Sequence, residues 1–213
     1  VFKRKLGDFN EQDLIPKNNV IVSLTKTGYV KRVPQGTYRS QRRGGKGVMG
    51  MTTKEEDSIF KLVSCTTHDN ILFFTNKGKV YQKRAWEIEE GSRKSKGQAI
   101  INLIDIAQDE EVEAVLNYSP DTDPKKHFIL MATEKGKVKK TALQDFANIR
   151  SSGIIAINLK KGDELIQAQL SNGSKNVIIA TKKGKSIRFS EDDVRAMGRT
   201  AMGVKGIDLK KAD

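Results

Sequence analysis

A β-hairpin pattern recurs four times along this chain and limits the folds that the sequence can adopt. Each copy begins with a short apolar run, continues through a four-residue turn that ends in glycine, and finishes in a strand of alternating residues. The apolar runs are long enough for a buried strand and too short for a helix. Glycine suits the positive φ that closes a tight turn. The four copies occupy residues 20–31, 71–83, 128–140 and 177–189.

A second glycine marks a later position in each copy. It follows a polar loop that carries Arg or Lys and leads into another short strand, and its four occurrences are Gly47, Gly97, Gly153 and Gly203. Both sets of glycines recur about every 50 residues. That is the period of propeller-like blades, which bury their faces against one another. The sequence therefore predicts one all-β domain over residues 1–213, with little helix.

Acidic residues open successive units and set their predicted boundaries. Residues 1–12 are expected to lead into the array as a strand or linker, and the blade-like repeats are predicted at residues 13–56, 57–110, 111–162 and 163–213. Short helical turns are expected within residues 141–146 and 191–197. By analogy with the start of the fourth repeat, a fifth would begin where the sequence stops, so the four are expected to belong to a longer array.

The chain is strongly basic, with 39 Lys and Arg against 26 Asp and Glu and a formal charge of +13. An excess of this size favours a polyanionic partner, above all nucleic acid, over a membrane surface. The single cysteine, Cys65, excludes an internal disulfide and agrees with a cytoplasmic location. No apolar run reaches the roughly 20 residues that span a bilayer.

No arrangement of residues in the sequence predicts catalysis. The two histidines, His68 and His127, lie in different units, so neither a metal site nor a Ser-His-Asp arrangement is indicated. The run Gly44-Gly45-Lys46-Gly47 lacks the spacing and the following Ser or Thr of a Walker A motif. No catalytic residue, metal or cofactor is therefore expected in this domain.

The most unusual stretch lies in the first long loop, where residues 41–47 read QRRGGKG. Its glycines let backbone N–H groups approach an anion, and its Arg and Lys side chains are charge-assisted donors to phosphate. Gln41 adds a neutral hydrogen-bonding group for a phosphate or a base edge. This loop is therefore predicted to bind the backbone of a nucleic acid.

Basic residues also recur in the equivalent loops of the other units and on the second strand of each hairpin. Every second side chain of such a strand is expected to point toward solvent, which would make this face basic. A rim of this kind suits the regular phosphates of duplex DNA. The predicted DNA-binding residues are Gln41, Arg42, Arg43, Gly44, Gly45, Lys46, Gly47, Lys31, Arg32, Arg39, Lys83, Arg84, Arg93, Lys94, Lys96, Lys139, Lys140, Arg150, Arg188 and Arg199.

Three motifs carry a resemblance to a known family. QRRGGKG at residues 41–47 resembles the gyrase A box, and GYVK at 28–31 and RAMGR at 195–199 are also similar to the C-terminal domain of the bacterial DNA gyrase A protein, part of a type IIA topoisomerase. The resemblance covers essentially the whole chain. It implies a β-pinwheel, in which four-stranded blades exchange strands and DNA bends around a basic outer edge. Four blades are visible here, whereas the family usually has six.

The resemblance also implies a role within a larger enzyme. The domain is expected to wrap double-stranded DNA without sequence preference and to present a neighbouring segment to the cleavage gate, so that strand passage adds negative supercoils. ATP and Mg²⁺ are expected for the whole enzyme, whose catalytic residues lie outside this chain. The implied protein partners are the rest of the gyrase A protein and the gyrase B protein, in an A2B2 heterotetramer at the nucleoid.

The sequence leaves two alternative functions open. The equivalent protein of topoisomerase IV also carries a pinwheel, but its box tends to be degenerate, so the intact box favours gyrase. A propeller-type scaffold whose basic edge binds acidic proteins would share the same charge. Competition between random-sequence duplex DNA and an acidic polypeptide separates DNA binding from protein binding.

Overall fold

In a computed structural model, which describes residues 11–37 and 58–209, the chain folds into β-strands joined by turns and one-turn 3-10 helices. The strands are β1 (Asn19–Thr25), β2 (Tyr29–Pro34), β3 (Ile59–Thr66), β4 (Asn70–Thr75), β5 (Lys79–Arg84), β6 (Gln98–Ala99), β7 (Val112–Tyr118), β8 (Phe128–Thr133), β9 (Lys137–Ala142), β10 (Ile154–Ile155), β11 (Leu165–Ser171), β12 (Asn176–Ala180), β13 (Ser186–Ser190) and β14 (Val204–Lys205). The 3-10 helices are Glu11–Leu14, Gln35–Thr37, Ala85–Glu87, Ile100–Asn102, Leu143–Phe146 and Glu191–Asp193. Two of them fall within the predicted helical turns.

Four antiparallel hairpins, β1–β2, β4–β5, β8–β9 and β12–β13, confirm the predicted hairpin pattern. The turn glycines Gly28, Gly78, Gly136 and Gly184 all have positive φ, as the pattern requires. The threonine that opens each turn has a structural role as well. For example, Thr25 Oγ1 accepts a hydrogen bond from the backbone N–H of Tyr29 at 3.1 Å, just beyond the turn. The side chain thus closes the turn that the glycine makes possible.

Each four-stranded sheet takes one edge strand from the chain beyond the next hairpin. The sheets have the orders β3-β1-β2-β6, β10-β5-β4-β7 and β11-β8-β9-β14, so that β6, β10 and β14 reach back to the preceding hairpin. The strand exchange implied by the resemblance is therefore present. The predicted contiguous repeats do not coincide with sheets, because β3 lies in the second repeat but completes the first sheet. The fourth sheet has only β12 and β13 in the described residues, where four strands were expected.

The core lies between successive sheets. Strand β4 is buried along its whole length, because its side chains alternate between two neighbours. Ile71 and Phe73 pack into a cluster with β1 and β2, whereas Leu72 and Phe74 pack into a second cluster with β8 and β11. Burial of each such side chain contributes about 1.5–3 kcal/mol. The sheets consequently stack face to face, which confirms the propeller-like all-β fold.

No helix in the described parts of the chain is long and apolar enough to cross a membrane.

Candidate nucleic-acid interface

Three loops cross from one hairpin to the preceding sheet. Each loop contacts an equivalent atom there, the carbonyl oxygen of the glycine in the hairpin turn. The carbonyl oxygen of the hairpin glycine accepts a backbone hydrogen bond from the incoming segment in every case. The pairs are Ile100 N to Gly28 O, Ala156 N to Gly78 O and Gly206 N to Gly136 O, each at 2.8 Å. The exchanged segments are thus held at equivalent places on successive sheets.

A basic turn precedes each exchanged strand, and we call these three turns, residues 92–97, 150–153 and 198–203, the exchange turns. Each contains a backbone hydrogen bond between residues three apart and ends in a glycine with positive φ. A Cβ at Gly97 would lie 2.5 Å from the carbonyl oxygen of Val30, and one at Gly153 would lie 2.7 Å from the ring of Tyr81. Glycine therefore lets the exchange turns lie directly against the preceding sheet.

The cations of the first two exchange turns differ in their accessibility. Lys94 and Arg150 are exposed, and neither forms an ion pair with any residue within 11–37 or 58–209. Arg93 is half-buried. Lys96 is also half-buried, with its Nζ 3.6 Å from the centroid of the Tyr29 ring. Lys94 and Arg150 are consequently the side chains of these turns best placed to meet a phosphate.

The second and third exchange turns converge on one shallow groove of about 660 Å³, which Arg150 and Arg199 both line. Side-chain hydrogen bonds join the third turn to the segment that follows the second turn. Asn158 Nδ2 donates to the carbonyl oxygen of Thr200 at 2.6 Å, and Arg199 Nη1 donates to the carbonyl oxygen of Ile155 at 3.4 Å. Arginines from two successive units therefore line the same groove, and a groove lined by two cations attracts phosphate.

Lys31, Lys139 and Lys140, predicted to contact DNA, are buried, and this part of the prediction is corrected. Their exposed fractions are 0%, 0% and 6%. Each ammonium group donates to backbone carbonyl oxygens: Lys31 to Ser92, Arg93 and Ser95 at 3.0, 2.7 and 2.8 Å, Lys139 to Ala156 at 2.6 Å and to Arg199, and Lys140 to Glu191 at 2.7 Å. The alternation along β2 and β9 does not give a solvent face, because these strands are covered on both sides.

Burial affects the protonation of two of these lysines. Desolvation lowers the pKa of Lys31 below its ordinary value. Desolvation, assisted by the nearby charge of Arg199, lowers the pKa of Lys139 to about 8. The carbonyl oxygens that surround each ammonium group partly replace the water that it loses. Both side chains thus bind backbone carbonyl oxygens inside the protein and do not lie at its surface.

Four other predicted side chains remain at least partly accessible. Arg32 pairs with Glu90, and Lys83 Nζ lies 3.1 Å from Glu87 Oε1, so each cation is partly offset by a carboxylate. Arg84 donates to the carbonyl oxygen of His68. Arg188 is exposed on β13. Direct DNA contact by these four side chains remains a prediction. Arg188 is the most exposed of them.

The loop that carries the strongest sequence signal lies outside the described residues. This applies to Gln41, Arg42, Arg43, Gly44, Gly45, Lys46 and Gly47, and to Arg39. Their role in DNA binding stays a prediction from the sequence.

A partly buried polar cluster in the second unit was not anticipated. Tyr81 donates from its hydroxyl to Glu110 Oε2 at 3.0 Å, and Lys79 Nζ lies 2.6 Å from Glu110 Oε1. The hydrogen bond with Glu110 raises the pKa of Lys79, and desolvation raises the pKa of Tyr81. Tyr81 occupies the position that Lys31 and Lys139 hold, three residues after the hairpin glycine. This shared position is the sequence signal that could have predicted a common structural role for the three side chains.

Among the residues that the structure describes, no group of three or more His, Cys, Asp or Glu side chains is arranged to hold a metal ion.

Comparison with known proteins agrees with this architecture. The sequence model of one family, described as "DNA gyrase C-terminal domain, beta-propeller", matches residues 19–66, 69–119, 127–172 and 175–213. These segments correspond to the four hairpin repeats. The DNA gyrase A protein of Halalkalibacterium halodurans is 51% identical over 199 residues, which cover 93% of this chain and 24% of that protein. The chain thus spans about a quarter of the length of the curated relatives it matches.

Two solved structures share the fold. A structure of the DNA gyrase A C-terminal domain aligns with a TM-score of 0.72 and 33% identity, over 91% of this chain and 61% of that chain. The C-terminal domain of DNA topoisomerase IV aligns with a TM-score of 0.75 and 31% identity, over 92% of this chain and 59% of that chain. Fold similarity alone therefore does not separate the two.

Proposed function

The chain belongs to the DNA gyrase C-terminal domain family, and from this premise we propose that it binds double-stranded DNA without strong sequence preference and bends the duplex along its basic rim. Within a complete gyrase, this wrapping would deliver a neighbouring DNA segment for strand passage and thereby allow negative supercoiling. The chain itself carries no proposed catalytic role.

One observation carries this proposal, namely that basic turns recur at equivalent places on successive sheets. Lys94, Arg150 and Arg199 belong to three such turns. The segment that follows each turn is anchored on the carbonyl oxygen of a hairpin glycine. A single anionic ligand would need one cluster of cations, whereas a row of cations matches a repeating polyanion. Phosphate contacts fix the position of a protein on DNA but do not read base sequence. The row therefore supports binding that is not sequence-specific.

Bending is energetically compatible with a row of this kind. A smooth bend of 40–90° over about 20–30 base pairs costs on the order of 1–6 kcal/mol. Release of counterions from each neutralised phosphate offsets this cost, and it does so for any base sequence. The run at residues 41–47, with Arg42, Arg43 and Lys46, supplies the densest group of cations for such contacts.

We expect ATP and Mg²⁺ to act in other parts of gyrase, in an assembly of two gyrase A and two gyrase B proteins. A location in the cytoplasm, on the nucleoid, follows from DNA as the partner.

A salt titration tests the DNA-binding proposal. Labelled duplexes of random sequence are titrated with the chain at several salt concentrations, and log K is plotted against log salt. We expect a slope of about −0.9 for each phosphate neutralised, with several phosphates contacted. An affinity independent of salt, or a strong preference for one short sequence, would contradict the proposal. Release of the DNA by an acidic polypeptide at equal charge concentration would favour the protein-binding scaffold instead.

A further inference from the structure

Two lysines at equivalent positions of the first and third units hold the exchange turns of the units that follow. Lys31 and Lys139 each lie three residues after a hairpin glycine, and neither side chain is exposed. Lys31 donates to three carbonyl oxygens of the turn at residues 92–97, more than 60 positions along the chain. Lys139 donates to the carbonyl oxygen of Arg199 in the turn at residues 198–203, 60 positions along the chain.

These contacts act on the segments that carry the accessible cations. Lys31 itself is not at the surface, but the carbonyl oxygen of Arg93 that it binds is adjacent to Lys94, which is exposed. Loss of the ammonium group would leave the carbonyl oxygens of Arg93 and Ser95 without this donor, whereas the carbonyl oxygen of Ser92 would keep the backbone N–H and the hydroxyl of Ser95. Because unsatisfied buried polar groups are costly, the turn would be expected to move toward water.

The second unit provides an internal comparison. Tyr81 stands in place of the lysine, and its ring packs where a side chain at Gly153 would lie. Its hydroxyl bonds to Glu110 and not to the turn. The turn at residues 150–153 is thus positioned by ring packing and its own backbone hydrogen bond, without an ammonium group.

We propose that Lys31 and Lys139 are positioning residues for DNA binding, which fix the exchange turns of the following units so that the cations on those turns meet the DNA backbone together. The inference rests on the proposed function, since it assigns these lysines a role in that same interface. A turn already held in place loses less conformational freedom when DNA binds, which favours affinity.

The test uses Lys31→Met, which keeps the unbranched apolar stem to within one atom and removes the donors. Lys94→Met is the control that removes the same charge from the surface. The double variant completes a thermodynamic cycle. Affinity for a random-sequence duplex is measured well below the melting temperature of each variant, and hydrogen exchange monitors the amides of residues 92–97. Lys139→Met provides an independent second case.

We expect Lys31→Met to bind DNA on the order of tenfold more weakly and to exchange the amides of its turn faster. Lys94→Met should weaken DNA binding in the wild-type background. It should have little further effect in the Lys31→Met background, because the displaced turn no longer holds Lys94 where it can contact DNA. A purely structural Lys31 would instead lower the melting temperature and leave the affinity of the folded protein unchanged. That result would overturn the inference while leaving the proposed function intact.

Lysine labelling of the unaltered chain keeps the inference testable if a variant does not fold. A reductive methylation experiment, with and without duplex DNA, should modify Lys94 in the free chain and protect it in the complex. Lys31 and Lys139 should resist modification in both states. Ready labelling of Lys31 that DNA suppresses would overturn the inference, since Lys31 would then be a contact. Failure of the unaltered chain to bind duplex DNA would overturn both the inference and the proposed function.

Discussion

Tyr81 lies against Gly153 so closely that a Cβ added to the glycine would approach the phenol ring to 2.7 Å. The contact joins the second strand of one hairpin to the turn that follows the next hairpin. It is therefore part of the strand exchange that connects successive sheets.

Gly153→Ala should destabilise the fold by about 2–5 kcal/mol. The residue has a φ of 74°, where a side chain costs about 1–2 kcal/mol, and contact with the buried ring adds a cost of about 1–3 kcal/mol. Chemical denaturation measures the change in the free energy of unfolding. Gly198→Ala is the matched control, because a Cβ at Gly198 meets nothing within 4 Å. Equal unfolding midpoints for the two variants would contradict the close packing of Tyr81 on Gly153.

Lys139 should make stability depend on pH in the alkaline range. Its pKa is about 8 in the folded chain against an ordinary value of 10.5, mainly because of burial, with Arg199 lowering it further and Asp145 opposing the shift. Between these values the unfolded chain binds more protons, so the free energy of unfolding rises with pH. From pH 7.5 to 9.5 the wild type should gain about 2 kcal/mol relative to Lys139→Met. Parallel pH profiles for the two proteins would show that Lys139 titrates normally.

Alanine substitutions of Arg150 and Arg32 should distinguish a side chain that contacts DNA from one that stabilises the fold. Arg150 is exposed without an ion pair in the described part of the chain, whereas Arg32 donates to the carbonyl oxygen of Ile88 at 2.8 Å and pairs with Glu90. Arg150→Ala should reduce the magnitude of the salt slope by about 1 and leave the melting temperature unchanged. Arg32→Ala should lower the melting temperature and reduce the slope by less than Arg150→Ala does, because Glu90 partly offsets its charge. The opposite pattern would assign Arg150 to anchoring its own turn.

Replacement of residues 41–47 by alanines in the complete enzyme should abolish negative supercoiling and spare relaxation and DNA cleavage. The stretch contains three cations and no acidic residue. Its side chains can therefore bind DNA phosphates, but they supply no catalytic group. Gel assays of supercoiling, relaxation and cleavage on the same preparation measure the three activities. Loss of cleavage together with supercoiling would place the stretch in the chemistry or in overall folding.

The hairpins were predictable because their signals are local. A threonine and a glycine three residues apart define each turn, and an apolar run precedes it, so Gly28 and Gly136 could be assigned positive φ without a structure. The exchanged strands β6, β10 and β14 have two residues each, which is too short for a periodic pattern. Their pairing depends on contacts far apart in sequence, and only the family resemblance anticipated it.

The basic strand residues were misassigned for a related reason. The prediction treated β2 and β9 as strands with one solvent face, but both are covered by neighbouring segments. Lys31 and Lys139 therefore point into the protein, where loop carbonyl oxygens replace solvent. A single sequence shows the charge of a lysine but not the distant carbonyl groups that accept its hydrogen bonds. The exposed turn residues Lys94 and Arg150 were correctly placed at the surface, because loops lie at the surface of a fold.

The trapped linking difference of a closed DNA circle tests the central claim most directly. The chain is bound to nicked circular DNA, the nick is sealed by ligase, and the protein is removed before the topoisomers are separated. If the basic rim bends duplex DNA into a wrap, the distribution should shift in one direction and the shift should grow with the ratio of protein to DNA. Arg150→Ala should give a smaller shift at the same ratio. A distribution identical to that of protein-free DNA, under conditions where the circles are saturated with protein, would contradict wrapping by this chain.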